Sequence, residues 1–146
     1  MKNYLVLLLV AAAGAALFAQ AQAPASGAKL TSGVHDWEKM EAARVDNGVR
    51  RQVLDGPTTT LDKLHCHITT LNPGQVSGAP RRHLQEEVLI VKEGRVTASY
   101  DGKSQTAGPG SVIFFASGAT TQLRNEGSAP ATYVVVYYYT PLTPKS

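Results

Sequence analysis

Two short stretches of this chain hold most of the side chains able to do chemistry. Residues 80–94 read Pro-Arg-Arg-His-Leu-Gln-Glu-Glu-Val-Leu-Ile-Val-Lys-Glu-Gly, and residues 116–125 read Ala-Ser-Gly-Ala-Thr-Thr-Gln-Leu-Arg-Asn. His83 and Glu87 are an imidazole and a carboxylate four residues apart. Acid–base catalysis and transition-metal binding both draw on these types. Arg81 carries a guanidinium that stays protonated, so it can hold an anion but has no lone pair to give a metal. Two more histidines, His65 and His67, flank the single cysteine, Cys66. In an extended strand both imidazoles share one face, and Cys66 points away from them with Leu64 and Ile68. That arrangement makes the thiol a core group rather than an activated nucleophile. Gly108-Pro109-Gly110 is no phosphate loop, because no Lys-Ser/Thr follows it into a helix.

The elements that must position these groups read as strands. Residues 49–54 form a short strand ended by Asp55-Gly56-Pro57. Residues 61–71 alternate, and Asn72-Pro73-Gly74 turns the chain. The near-continuous apolar runs 88–92 and 111–115 read as strands buried on both faces. Strands at 95–100 and 103–107 join through Asp101-Gly102, a strong hairpin signal. Strands 120–123 and 132–140 follow, with Asn125-Glu126-Gly127 between them. Residues 35–45 fit either a short helix capped by Asp36 or an arm strand, with Trp37 as the arm's anchor. Strands this short, with turn signals about every 8–12 residues, indicate an all-β sandwich or barrel.

The opening residues stand apart. Lys2 precedes an apolar run from Tyr4 to Phe18, and Ala19-Gln20-Ala21 fits a signal-peptidase site. The expected organisation is a signal peptide over 1–21, a flexible leader and arm over 22–45, a barrel domain over 46–140 and a tail over 141–146. The protein is then exported, to the periplasm or beyond, with no membrane contact after cleavage. A single Cys gives no internal disulfide, so packing must supply stability. The net charge is +3 and is scattered along the chain, which argues against nucleic-acid binding.

The spacing in the two stretches resembles the paired motifs of the cupins, and specifically the small single-domain bacterial cupins of type 2. In the first motif His83, Glu87 and Gly94 match, while Arg81 stands at a ligand histidine's position. In the second, Gly110, Gly118 and Asn125 match, Ala116 replaces a proline, and Thr121 replaces the other histidine. The resemblance implies a double-stranded β-helix, or jelly-roll barrel, and a homodimer. It also implies a metal site of three His and one Glu, here reduced to His83 and Glu87.

Three functional readings follow. The favoured one is a metal-free pocket with no cofactor, lined by Arg81, His83, Glu87 and Thr121, with His67 beside them. It binds a small polar or anionic molecule, and Arg81 pairs with Glu87 or with the ligand. The alternative is an enzyme of isomerase, lyase or dioxygenase type. There His83 and Glu87 act as an acid–base pair, or join His67 around one divalent Fe, Mn, Ni or Zn. Against that rebuilt site stands a simpler role for His65 and His67, packed at the rim and bonded to backbone. The third reading is a closed barrel filled by side chains such as Leu89, Val91 and Phe114.

Overall fold

The computed structural model describes residues 27–144. The expected signal peptide over 1–21, its cleavage point and the start of the leader lie outside the described residues. Among the described residues ten strands form two antiparallel sheets. The first sheet, in spatial order, is β1 (Ala43–Val45), β2 (Gly48–Gly56), β3 (Lys63–Leu71), β10 (Ala131–Tyr139), β5 (Glu87–Glu93) and β8 (Val112–Phe115). The second is β4 (Arg81–Arg82), β9 (Thr120–Arg124), β6 (Val96–Tyr100) and β7 (Lys103–Ala107). This is the all-β jelly roll that the turn spacing and motifs indicated. Among the described residues no helix is long and apolar enough to cross a membrane.

The core lies between the sheets. Leu71, Leu89, Val91, Phe115, Tyr133 and Val135 from one sheet meet Val96, Ala98 and Leu123 from the other. Each comes from the inward set of an alternating strand, as period-two side chains require. The runs 88–92 and 111–115 are therefore not buried on both faces. Leu89, Val91, Ile113 and Phe115 point inward, whereas Ile90, Val112 and Phe114 are exposed on the outer face. Outward β-branched and aromatic residues kept these runs apolar without burying them.

Two turns show why their residues are required. Asp101 and Gly102 both have positive φ, 45° and 76°, as the two-residue hairpin between β6 and β7 demands. Gly94 has φ 72°, and a Cβ there would sit 2.7 Å from both the Ala131 Cα and the Pro130 carbonyl oxygen. Asn125 is fully buried. Its amide nitrogen donates to the carbonyls of Leu71 and Ala129, and its amide oxygen accepts from the Gly127 backbone. The residue that matches the second motif is thus a clamp between the ends of β3 and β9.

The region 35–45 takes both forms considered for it. Asp36 caps one 3-10 turn, Trp37–Lys39, and the chain then forms β1. The arm crosses the outer face of the six-stranded sheet. Leu30 lies over Gly56, and the Trp37 ring is sandwiched between Arg51 at 4.6 Å and Lys92 at 4.4 Å. Cys66 and Ile68 are buried on that outer side, apart from the central cluster, and burial pushes the Cys66 thiol's pKa up.

Candidate ligand-binding pocket

The two replaced motif positions face each other. Arg81 of β4 is the direct cross-strand partner of Thr121 in β9, and both line one cavity. Past Arg82 the chain leaves the sheet and is pinned by the turn before β9. The Gly118 backbone donates to the His83 carbonyl at 2.7 Å, and the Ser117 hydroxyl donates to the Leu84 carbonyl at 2.6 Å. That turn fixes the height at which His83 enters the cavity. Glu87 opens β5 on its inward face, buried beneath Gln85.

Arg81 does not pair with Glu87; His83 stands between them. The Arg81 Nε–H donates to His83 Nε2 at 3.2 Å, which requires a lone pair on that nitrogen. The other ring nitrogen, Nδ1, lies 3.3 Å from Glu87 Oε1 and 3.1 Å from the Gln85 amide nitrogen. Gln85 completes the group. Its amide nitrogen donates to Glu87 Oε1 at 3.3 Å, and its amide oxygen accepts from the Tyr139 hydroxyl at 3.0 Å. Every nitrogen of the His83 ring is therefore engaged by protein.

His65 and His67 share the inward face of β3, as alternation required, but they are bonded to side chains rather than to backbone. The chain of contacts begins at Asp55, which faces His65 only because β2 carries a bulge. The β2–β3 register runs from Gln52 opposite His67 to Leu54 opposite Cys66, skipping Val53. Without that extra residue Leu54 would face His65, and Asp55 would point outward. Asp55 Oδ1 accepts from His65 Nδ1–H at 3.0 Å and pairs with Lys63 at 2.8 Å. The hydrogen bond from Lys63 is the largest of the effects holding the Asp55 pKa below the usual carboxylate value, so it stays ionised. His65 Nε2 must then be a lone pair, because Arg50 Nη2 donates to it at 3.2 Å. His67 Nδ1, 3.0 Å from the same atom, carries the hydrogen it shares with His65. His65 also stacks on Tyr137, ring centroids 4.3 Å apart.

A cavity of about 170 Å³ gathers these groups between the sheets. Arg50, His67, Arg81, His83, Glu87 and Thr121 all reach it, over an apolar floor that includes Leu89 and Phe115. An adjoining hollow of about 420 Å³ shares Arg50, His67, Arg81, His83 and Glu87 and adds Gln85, Tyr137 and Tyr139 at the mouth. The barrel is thus not filled by its own side chains; Leu89 and Val91 point inward, but Phe114 lies outside. Burial, followed by the charges of Arg50, His65 and Arg81, pushes the His67 pKa down to about 3. Burial also raises the Tyr133 hydroxyl's pKa.

The residues present do not fit a metal. Among the described residues no three His, Cys, Asp or Glu side chains stand close enough together to hold one. His67, His83 and Glu87 share the cavity without forming such a group. The His83 lone pair is taken by Arg81, and two guanidinium charges add repulsion for any cation. Sequence reasoning missed Arg50 and Asp55. Arg50 falls in the strand read over 49–54, whose faces the sequence did not distinguish, and a bulge leaves no mark in the alternation, so Asp55 read only as a turn residue.

The model of the cupin domain matches residues 67–137, a span that runs from His67 to Tyr137 and contains both motifs. Among solved structures, a sugar phosphate isomerase from a cupin superfamily of Silicibacter pomeroyi is 24% identical, with a TM-score of 0.59 over 75% of this chain and 77% of that one. The polyketide cyclase RemF from Streptomyces resistomycificus is 21% identical, with a TM-score of 0.61 over 75% and 80%. An RmlC-like cupin from Shewanella frigidimarina is 15% identical, with a TM-score of 0.62 over 77% and 95%. These likenesses are of fold. No curated protein matches the chain. With a matching family model, a jelly roll of the right topology and both motifs at the cavity, residues 67–137 of this chain belong to the cupin family as a cupin domain.

Proposed function

We propose that this cupin binds a small anionic molecule, of carboxylate, sugar-acid or phenolate type, without a metal. One observation carries the reading: Arg50 and Arg81 both line the cavity, and among the described residues neither forms an ion pair with a carboxylate. Arg81 is exposed at the mouth, whereas Arg50 is half-buried. A half-buried guanidinium with no counter-ion is costly, and a ligand carboxylate supplies either group with two parallel hydrogen bonds. Burial and the neighbouring guanidinium charges keep His67 neutral, and the two guanidinium charges outnumber the one carboxylate, Glu87, that lines the cavity with them.

Calorimetry with three-carbon acids tests this. Binding in the millimolar range or tighter is expected, and it should persist after chelator treatment. Arg81→Gln and Arg50→Gln should each weaken it about tenfold or more. Glu87→Gln should leave it intact or tighten it, because a like charge is removed. Stoichiometric Fe, Mn, Ni or Zn, with binding that vanishes on chelation, overturns the metal-free reading. The acid–base alternative rests on the contact between His83 Nδ1 and Glu87 Oε1. It requires that Glu87→Gln abolish a turnover that the native protein performs.

A further inference from the structure

We propose that the pocket selects anions with a hydroxyl next to the carboxylate, because His67 is locked as a hydrogen-bond acceptor. The inference rests on the anion-binding reading above and names the ligand class.

The lock follows from the donor and acceptor chemistry of the relay. A carboxylate accepts only, so Asp55 forces the hydrogen of His65 onto Nδ1. A guanidinium donates only, so Arg50 forces a lone pair at His65 Nε2. His67 Nδ1 lies 3.0 Å from that lone pair and must bring its own hydrogen. The neutral His67 ring then has one tautomer, with Nε2 bare. No side chain or backbone group among the described residues bonds that nitrogen, and the ring lines both the cavity and its mouth. The usual escape, protonation at Nε2, is disfavoured by burial and by Arg50 and Arg81. Of the pocket's two imidazoles, His83 has its bare nitrogen covered by Arg81, and His67 has its bare nitrogen open.

Position supplies the rest. Arg50 Nη2 and His67 Nδ1 both bond the same atom of His65, so they are no more than about 6 Å apart. A carboxylate on Arg50 therefore lies alongside the His67 ring, and a substituent on the adjacent carbon is within its reach. A hydroxyl there donates to Nε2. A ketone oxygen there faces a lone pair and loses its water without replacement. A hydrogen there leaves Nε2 dry and unpaired.

Lactate, pyruvate and propionate differ only at that position. Calorimetry on the whole protein should show lactate binding about tenfold tighter than propionate, with pyruvate no better than propionate. His67→Leu keeps the bulk and removes the acceptor; the three acids should then bind within about twofold of one another. If all three bind the native protein alike, or if the preference survives in His67→Leu, the inference falls while anion binding stands. If none binds at millimolar concentration, anion binding falls too, and the inference with it. Should the leucine variant fail to fold, nitrogen NMR of the native protein still decides. A pyridine-type Nε2 and a pyrrole-type Nδ1 at His67 are required, and a hydrogen on Nε2 overturns the proposal.

Discussion

His67 illustrates how a residue's behaviour is set by the atoms one bond further away. Its folded pKa is near 3 against 6.5 for a free imidazole, so below pH 6.5 the unfolded chain binds a proton that the folded chain does not. Stability must then fall as the pH drops from 6.5 toward 3. The loss is about 2 kcal/mol between pH 7 and pH 5. His67→Gln keeps a donor for His65 Nε2 but does not titrate. Urea unfolding of that variant should lack about this much of the native protein's decline over the same interval. Much of this was legible in outline. The resemblance to the paired cupin motifs implied one site for Arg81, His83, Glu87 and Thr121, with His67 beside it, and all five line one cavity. The motifs did not reveal that Arg81 bonds His83 rather than Glu87. A side chain's choice between two nearby acceptors turns on a few tenths of an ångström, which spacing does not encode.

Strands were easier to read than their faces. Asn72-Pro73-Gly74, Asp101-Gly102 and Gly94 each mark a turn where positive φ or a fixed proline dictates it, and the strand boundaries fall within a residue or two of those marks. Burial was misread in β5 and β8, where both faces are apolar but only one is covered. Phe114 and Phe115 isolate the difference: adjacent in β8, they are 61% and 3% exposed. Phe115→Ala should cost about 3–5 kcal/mol, because it opens a hole in the core. Phe114→Ala should cost less than about 1 kcal/mol, since little area returns to water. Chemical denaturation of the two variants checks the register of β8, and equal costs would place it wrongly. The two-residue strand β4 escaped notice for a simpler reason. Two residues hold no period, and only pairing with β9 defines them.

At the scale of the whole molecule, the fold is a frame that holds two motifs at one opening and an arm on the opposite side of a sheet. The pocket draws on β1, β2, β3, β4, β5, β8, β9 and β10, so no single hairpin contains it. The Trp37 sandwich ties the arm to β2 and β5 on the outer face, away from the cavity. The strand between β3 and β5 is β10, the last of the described strands, paired along its whole length with β3 and from Thr132 to Tyr137 with β5. A chain ending at Pro130 lacks that centre and should show no cooperative thermal transition by circular dichroism. The same placement governs the order of events during synthesis. A ribosome releases β3 and β5 long before the strand that joins them, and long-range pairing of this kind is slow. Until the final strand arrives, their inner edges stay open and the nascent chain has nothing to close around. The domain is therefore committed to folding only after β10 has been made, and it depends until then on whatever keeps open edges from meeting the wrong neighbour.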